Sequence, residues 1–225
     1  MIRTTTTLLT AAFGLIMSAL AAQAADMQIK YLPYPIMAPG TYVLASDLTY
    51  TAQTGAAITI LPNLSGPVIL NLKGHTLTGS VSIPLTTNSS KGVFIDGNGP
   101  SLSTITIENG TITHFDSGVF ADSENASGVV GNALSGIDIN HIAFSFALGG
   151  GNGIAVVFAN DVVSSTVRNC TFTESDIGIQ AQSVGGNRYT NNTFTNLGQL
   201  LVLYGGQNIN NPVVLDDCRF EAPAD

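Results

Sequence analysis

The chain has 225 residues, 44% hydrophobic and only 10% charged, with 24 Gly, 24 Thr, 18 Asn and no Trp. It carries 7 Lys and Arg against 15 Asp and Glu, a net charge of −8 with no basic cluster, which excludes the electrostatics of nucleic-acid binding. So many apolar residues and so few charges also exclude a disordered chain, and the length suits one β-rich, turn-rich domain.

The first segment reads as an address label. Met1-Ile2-Arg3 supplies a positive end, Leu8 to Ala21 is a nearly unbroken run of apolar and small residues, and Ala22-Gln23-Ala24 has the A-x-A form. Residues 1–24 are therefore expected to be a secretory signal peptide cut between Ala24 and Ala25. The apolar run falls short of the roughly 20 residues needed to span a bilayer, and polar Asp26 and Gln28 follow it directly. Cleavage removes Arg3 alone of the charged residues, leaving 6 basic and 15 acidic residues and a net charge of −9. The product is expected to be secreted or periplasmic, with no membrane span after cleavage. Residues 25–40 read as an N-terminal lead-in, and 41–225 as the domain itself.

A degenerate repeat runs through that domain. Seven segments begin and end on a large apolar side chain with a turn-forming residue between: Val43 to Leu48, Leu72 to Leu77, Ile107 to Ile112, Ile139 to Phe144, Val167 to Phe172, Tyr189 to Phe194 and Leu215 to Phe220. Their closing residues are 29, 35, 32, 28, 22 and 26 residues apart, the period of a stacked-repeat architecture. The flanks alternate with period two, as in Thr104-Ile105-Thr106-Ile107, so the repeat is built of strands. Three residues before each closing position stand Ala45, Gly74, Asn109, His141, Asn169, Asn191 and Asp217. Most of these tolerate a left-handed backbone, and Asn side chains at equivalent turns can hydrogen-bond from rung to rung. The pattern predicts a coil of short parallel strands, each pairing with the strand about 4.8 Å above and below.

Asn109-Gly110-Thr111-Ile112, Asn191-Asn192-Thr193-Phe194 and the Gly-apolar pairs Gly118-Val119, Gly153-Ile154 and Gly178-Ile179 resemble the parallel β-helix repeats of the pectin-lyase-like superfamily. Pro39-Gly40-Thr41-Tyr42-Val43-Leu44, with Leu72 to Leu77 downstream, is similar to the opening turns of secreted bacterial β-helix proteins. The resemblance covers about Tyr42 to Phe220 and implies an all-β fold, a single-stranded right-handed parallel β-helix of about seven turns. The repeat records how the coil turns and not what it binds. The same alignment puts Cys170 and Cys218 in one column two rungs apart with Asn192 between them, about 9.6 Å. That exceeds the roughly 7 Å reach of a disulfide, and two thiols acting as small apolar side chains are expected.

The longest stretches between strands are Pro84 to Lys91, Asp122 to Ser135 and Leu148 to Asn152, with Ser123 to Gly128 polar enough to project as a loop.

Enzymes of the superfamily act on acidic polysaccharides, with carboxylates that bind calcium or move protons and an Arg or Lys as base, usually on the outer face of one strand stack. The stack opened by the Gly-apolar pairs exposes, by alternation, Phe120, Ala155, Val157, Gln180, Gln182, Val202 and Tyr204, a face without carboxylate or cation. Family catalytic residues therefore do not carry over to it. Gln180, Gln182 and Tyr204 instead form a candidate ligand-binding strip, amides meeting hydroxyls and a ring stacking on a sugar, unless Tyr31-Leu32-Pro33-Tyr34-Pro35 covers it.

The neighbouring stack does carry charge. Its outward positions are Lys73, Glu108, Asn140, Arg168, Thr190 and Asp216 in one column, and Thr106, Asp138, Thr166 and Arg188 in another. Glu108, Asp138, Arg168 and Arg188 are candidate catalytic residues, two acids and two guanidiniums able to hold a cation and a sugar carboxylate for β-elimination. The same four side chains also read as a solvent-facing ion-pair ladder. Asp116 and Asp176 share a column two rungs apart, near the carboxylate spacing of about 6.5–9.5 Å in inverting glycosidases, beside His114 and Glu174; a turn-tying role is the alternative. His75 and His141 fall at turns, and no spacing of His, Asp and Glu suggests zinc.

The sequence thus predicts an exported polysaccharide-interacting module with no cofactor, calcium entering only if it is a lyase. The alternatives are a lyase or glycoside hydrolase acting on acidic polysaccharide, and a structural protein that associates end to end through an open C-terminal rung.

Overall fold

The computed structural model describes residues 25–62, 64–80, 89–98, 104–123, 134–146, 153–182, 185–203 and 212–221. Among these there is no helix, and the strands pair exclusively in parallel, as expected of a parallel β-helix. One stack has seven strands, Tyr34–Ile36, Thr54–Ile60, Ser89–Asp96, Ser117–Asp122, Ile154–Phe158, Ile177–Ala181 and Gln199–Leu203, in chain order. A second sheet of 13 strands is folded lengthwise into two faces. Ile105–Thr113 and Ile137–Ser145 run through the fold line, while elsewhere it separates pairs such as Thr166–Arg168 and Thr171–Thr173. Leu134–Ser135 and Val162–Val163 add a short third sheet.

The corner is made where the sequence places it. Asn109, His141, Asn169, Asn191 and Asp217 all have φ between 48° and 60°, and Gly74 has φ 81°. A left-handed residue at one column in six of the seven repeats, Ala45 of the first being the exception, turns the chain while leaving the strands on either side in register. Asn191 Nδ2 donates to Asn169 Oδ1 at 2.7 Å, the expected bond between equivalent turns, while Asn169 Nδ2 reaches instead to Asn140 Oδ1 at 2.8 Å, one residue before the corner at His141. A second corner repeats the device at His114, Glu174 and Asn196, and a third at Gly136, Ser164 and Gly186.

The core is a set of columns. Leu48, Leu77, Ile112, Phe144, Phe172, Phe194 and Phe220 pair in succession, which puts all seven closing residues of the repeat in one stack. The rings of Phe144, Phe172, Phe194 and Phe220 lie 5.2, 4.7 and 5.5 Å apart and nearly parallel. The opening residues of the first two repeats fall elsewhere. Tyr42 and Leu70, and not Val43 and Leu72, pair into the column of Ile107. Around Lys73 and Gly74 the turn between the paired positions Asn71 and Thr76 holds two residues more than the turn between Glu108 and Thr111, and apolar spacing alone does not register the insertion.

Residues 25–40 are more than a lead-in. Met27–Ile29 pairs with Gly40–Leu44, and Tyr34–Ile36 with Thr54–Ile60, so this segment supplies the first rung of two faces. It also lies five rungs, about 24 Å, from Gln180 along the column Pro35, Thr59, Phe94, Phe120, Val157, Gln180. Tyr31 to Pro35 therefore does not cover the glutamine strip.

Between the two Cys positions, Asn192 does the structural work. It is fully buried, accepts the Cys170 N–H at 2.9 Å and donates to the Val167 carbonyl at 2.9 Å. Asn187 repeats this role between the Ser165 N–H and the Val162 carbonyl. Asn192→Ala leaves two buried backbone groups unpaired, and the variant is expected to lose about 2–4 kcal/mol of unfolding free energy in denaturant titration. Exposed Asn191→Ala, which removes one ladder bond, is expected to lose about 1 kcal/mol or less.

Candidate functional site

The four candidate catalytic residues are on the outer side of the folded sheet, in the columns the sequence predicts. Asn71, Glu108, Asn140, Arg168, Thr190 and Asp216 pair in succession, as do Thr106, Asp138, Thr166 and Arg188. Lys73 is the exception: the longer turn moves it to the corner with φ 50°, where its ammonium meets Asp26 at 3.1 Å. Arg168 and Asp138 form a two-pronged pair, Nε to Oδ1 at 2.9 Å and Nη2 to Oδ2 at 2.8 Å. That bond raises the Arg168 pKa above its ordinary value, and a guanidinium already held this way has no free lone pair with which to take a proton. Glu108 accepts from Asn71 Nδ2 at 2.8 Å, and Arg188 is exposed with no side-chain bond among the described residues. The structure brings two of the four together as an ion pair and gives a third a different partner.

Of the two aspartates that share a column, Asp116 is committed elsewhere. Asp116 Oδ2 accepts the Ser90 N–H at 2.7 Å and its hydroxyl at 2.9 Å, which ties down the start of the neighbouring strand. Beside them, His114 and Glu174 are corner residues with φ 58° and 54°. His75 faces Asp47 at 3.3 Å on the surface, and His141 forms the corner at φ 53°. No three His, Cys, Asp or Glu side chains gather as a metal site among the described residues.

The seven-stranded stack departs most from expectation, because it does carry charge. Two consecutive residues turn inward on the five middle strands: Ala57 and Ile58, Gly92 and Val93, Gly118 and Val119, Ala155 and Val156, Gly178 and Ile179. The first of each pair must be small. A Cβ on Gly118 would stand 2.6 Å from the Ala155 carbonyl oxygen and 2.9 Å from the Phe144 ring. This bend breaks the alternation, so Ala155 is fully buried and the outer residues on either side are three apart in sequence. Lys91 thereby comes beside Phe94. Gly153, read as an equivalent of Gly118, lies two residues out of register, since Ile154 pairs with Ser117 and Val156 with Val119.

The result is a compact amphipathic patch. The Lys91 ammonium lies 5.0 Å from the Phe120 ring centroid and 5.8 Å from that of Phe94, and the two rings are 6.0 Å apart. Asp96 and Asp122 pair in the next outward column, and Asp122 accepts from Asn160 Nδ2 at 3.0 Å. Removal from water lowers the Lys91 pKa, partly offset by the charges of Asp116 and Asp122. Along the same column come Val157, which is buried, and half-exposed Gln180; exposed Gln182 follows two residues later. Tyr204, the third member of the predicted strip, lies outside the described residues. No periodicity argument could have found Lys91, because its position depends on where period two fails.

The chain matches no family model, no curated protein and no solved structure.

Both thiols are free. Cys170 and Cys218 occupy one column with Asn192 between them, through the pairings of Thr171, Thr193 and Arg219. Burial pushes the Cys170 thiol up to about 12, and its proton is directed at the Arg168 carbonyl 3.1 Å away. Cys218 is partly exposed. A thiol reagent is expected to modify Cys218 in the native protein and Cys170 only on unfolding, read by mass spectrometry. The unfolded Cys170 thiol ionises from its ordinary 9.0, whereas the folded one holds its proton to about 12. Its contribution is full below about pH 9 and declines as pH rises toward 12, so Cys170→Ala should flatten the alkaline slope of stability.

Proposed function

We propose that the protein is an exported module that binds polysaccharide through the outer face of its seven-stranded stack, with Lys91, Phe94 and Phe120 as the anchor and Gln180 and Gln182 extending the strip. The observation that carries this reading is the ammonium over two phenyl rings, flanked by carboxylates, on a face whose rungs repeat about every 4.8 Å. Aromatic faces stack on the apolar side of a sugar ring, while ammonium, carboxylate and amide groups bond its hydroxyls. A ladder of equivalent rungs suits a polymer of equivalent units. The net charge of −8 repels polyuronates at long range, which favours neutral glycans as the ligand.

The pectin-lyase-like kinship and the periplasmic or secreted location belong to the same proposal. The repeat motifs support the first, and the Arg3 to Ala24 pattern supports the second. Export predicts that N-terminal sequencing of the protein from its natural source begins at Ala25; a start at Met1 removes that part of the reading. The enzymatic alternative through Glu108, Asp138, Arg168 and Arg188 is less favoured, because Arg168 is engaged by Asp138.

The test is a panel of neutral and uronic-acid polysaccharides, with and without calcium, followed by calorimetry and by ultraviolet absorbance and reducing ends. Lys91→Ala and Phe120→Ala are each expected to weaken binding of a neutral glycan about tenfold, while Arg168→Ala leaves it unchanged. Unsaturated or reducing ends that vanish in Arg168→Ala would instead establish the lyase or hydrolase.

A further inference from the structure

The two ends of the coil are unlike. At the first rung Ile29 and Ile36 are fully buried and Leu32 and Tyr34 pack against the core, while Tyr31 and Met37 stand 69% and 68% exposed outside it. At the last, Leu200, Leu215 and Phe220 are 38%, 49% and 56% exposed. They surround an apolar cavity of about 320 Å³ whose floor includes Ile179, Tyr189 and Phe194. Among the described residues, Gln199–Leu203, Val214–Asp216 and Arg219–Glu221 each pair only with the rung beneath, so their other edges are open. An open strand edge beside exposed apolar side chains is a template for another strand.

We propose that the occupant is a second copy of this chain, docked tail to tail through an antiparallel pairing of Arg219–Glu221 with itself. The hydrogen-bond phase of the strand selects this register. The Arg219 N–H donates to the Asn192 carbonyl at 2.8 Å, toward the rung beneath, so alternation directs the Phe220 N–H and C=O outward. Two such strands centred on Phe220 exchange both N–H···O bonds as one hydrogen-bonded pair. Directly opposed residues project to the same face, so both Phe220 rings remain on the core side and the stack from Phe144 to Phe220 continues into the second copy.

Charge agrees with that register. Phe220 opposite Phe220 sets Arg219 of each copy opposite Glu221 of the other, two complementary pairs related by the two-fold axis. Within its own chain Glu221 accepts a 3.3 Å bond from Thr195 and meets no cation among the described residues. A head-to-tail filament would match only two of the three open strands, Met27–Ile29 standing in the column of Val214–Asp216 and Tyr34–Ile36 in that of Gln199–Leu203. The column that ends at Phe220 starts at Leu48, so the rung of Met27–Ile29 and Tyr34–Ile36 offers it no strand.

Sedimentation equilibrium of the purified full chain tests the proposal. A monomer–dimer equilibrium is expected, abolished by Phe220→Asp. Arg219→Glu places like charges together at both sites and should raise the dissociation constant at least about tenfold. The double variant Arg219→Glu, Glu221→Arg exchanges the charges and should restore association, an outcome that damage to the fold would not produce. Monomers at every concentration overturn the proposal. A dimer indifferent to Phe220→Asp, or a double variant no better than the single one, overturns it equally.

Discussion

Everything in this fold depends on each coil turning at the same place as the coil beneath it. A parallel strand pairs through evenly spaced bonds to its neighbours, and a turn one residue early would carry a whole rung out of phase. The left-handed corner at Asn109, His141, Asn169, Asn191 and Asp217 meets that constraint, because one residue with φ between 48° and 60° redirects the chain without breaking the ladder. Asparagine serves twice. On the surface its amide links one corner to the next, and in the interior Asn187 and Asn192 satisfy backbone groups that the bend leaves without strand partners.

Stacking in register also decides which side chains meet. The Arg168 to Asp138 pair and the Asn71 to Glu108 bond each join residues on adjacent rungs, some 30 or more positions apart in the chain. The Lys91 patch likewise draws Phe94 from its own strand and Phe120 from the next. The architecture thus supplies outward ladders at a spacing close to that of sugar units in a polymer, while the inner columns are apolar apart from buried Asn and Ser side chains that bond the backbone at the bends. Chemistry that needs a free base has less support here than recognition, since Arg168 is held by its partner and Lys91 sits over two rings.

Growth by identical rungs has a cost at the ends. Every interior rung covers the one beneath, but the last leaves Phe220 and Leu215 half exposed and, among the described residues, three strand edges open. The first rung packs Leu32 and Tyr34 against the core but leaves Tyr31 and Met37 exposed and, among the described residues, its own two strand edges open. The apolar cavity and the open edge of Arg219–Glu221 at the last rung are the features on which the proposed two-fold pairing rests.

By itself the sequence determined the parallel coil, the corner column, the seven-residue apolar column from Leu48 to Phe220 and the separation of Cys170 from Cys218. These follow from local rules: turn residues declare their backbone preference, and apolar spacing declares an inward face. It also placed Glu108, Asp138, Arg168 and Arg188 in their columns, because period two holds on that face. Only the tertiary structure decided that Arg168 bonds Asp138, that Lys73 is displaced by a longer turn, and that Lys91 joins Phe94 and Phe120. Those outcomes depend on two-residue insertions and on a bend where two successive residues both face inward. A bend of this kind is imposed by neighbouring rungs packing against glycine, as at Gly118 against the Ala155 carbonyl and Phe144. No local pattern encodes a contact made by a rung 30 or so residues away.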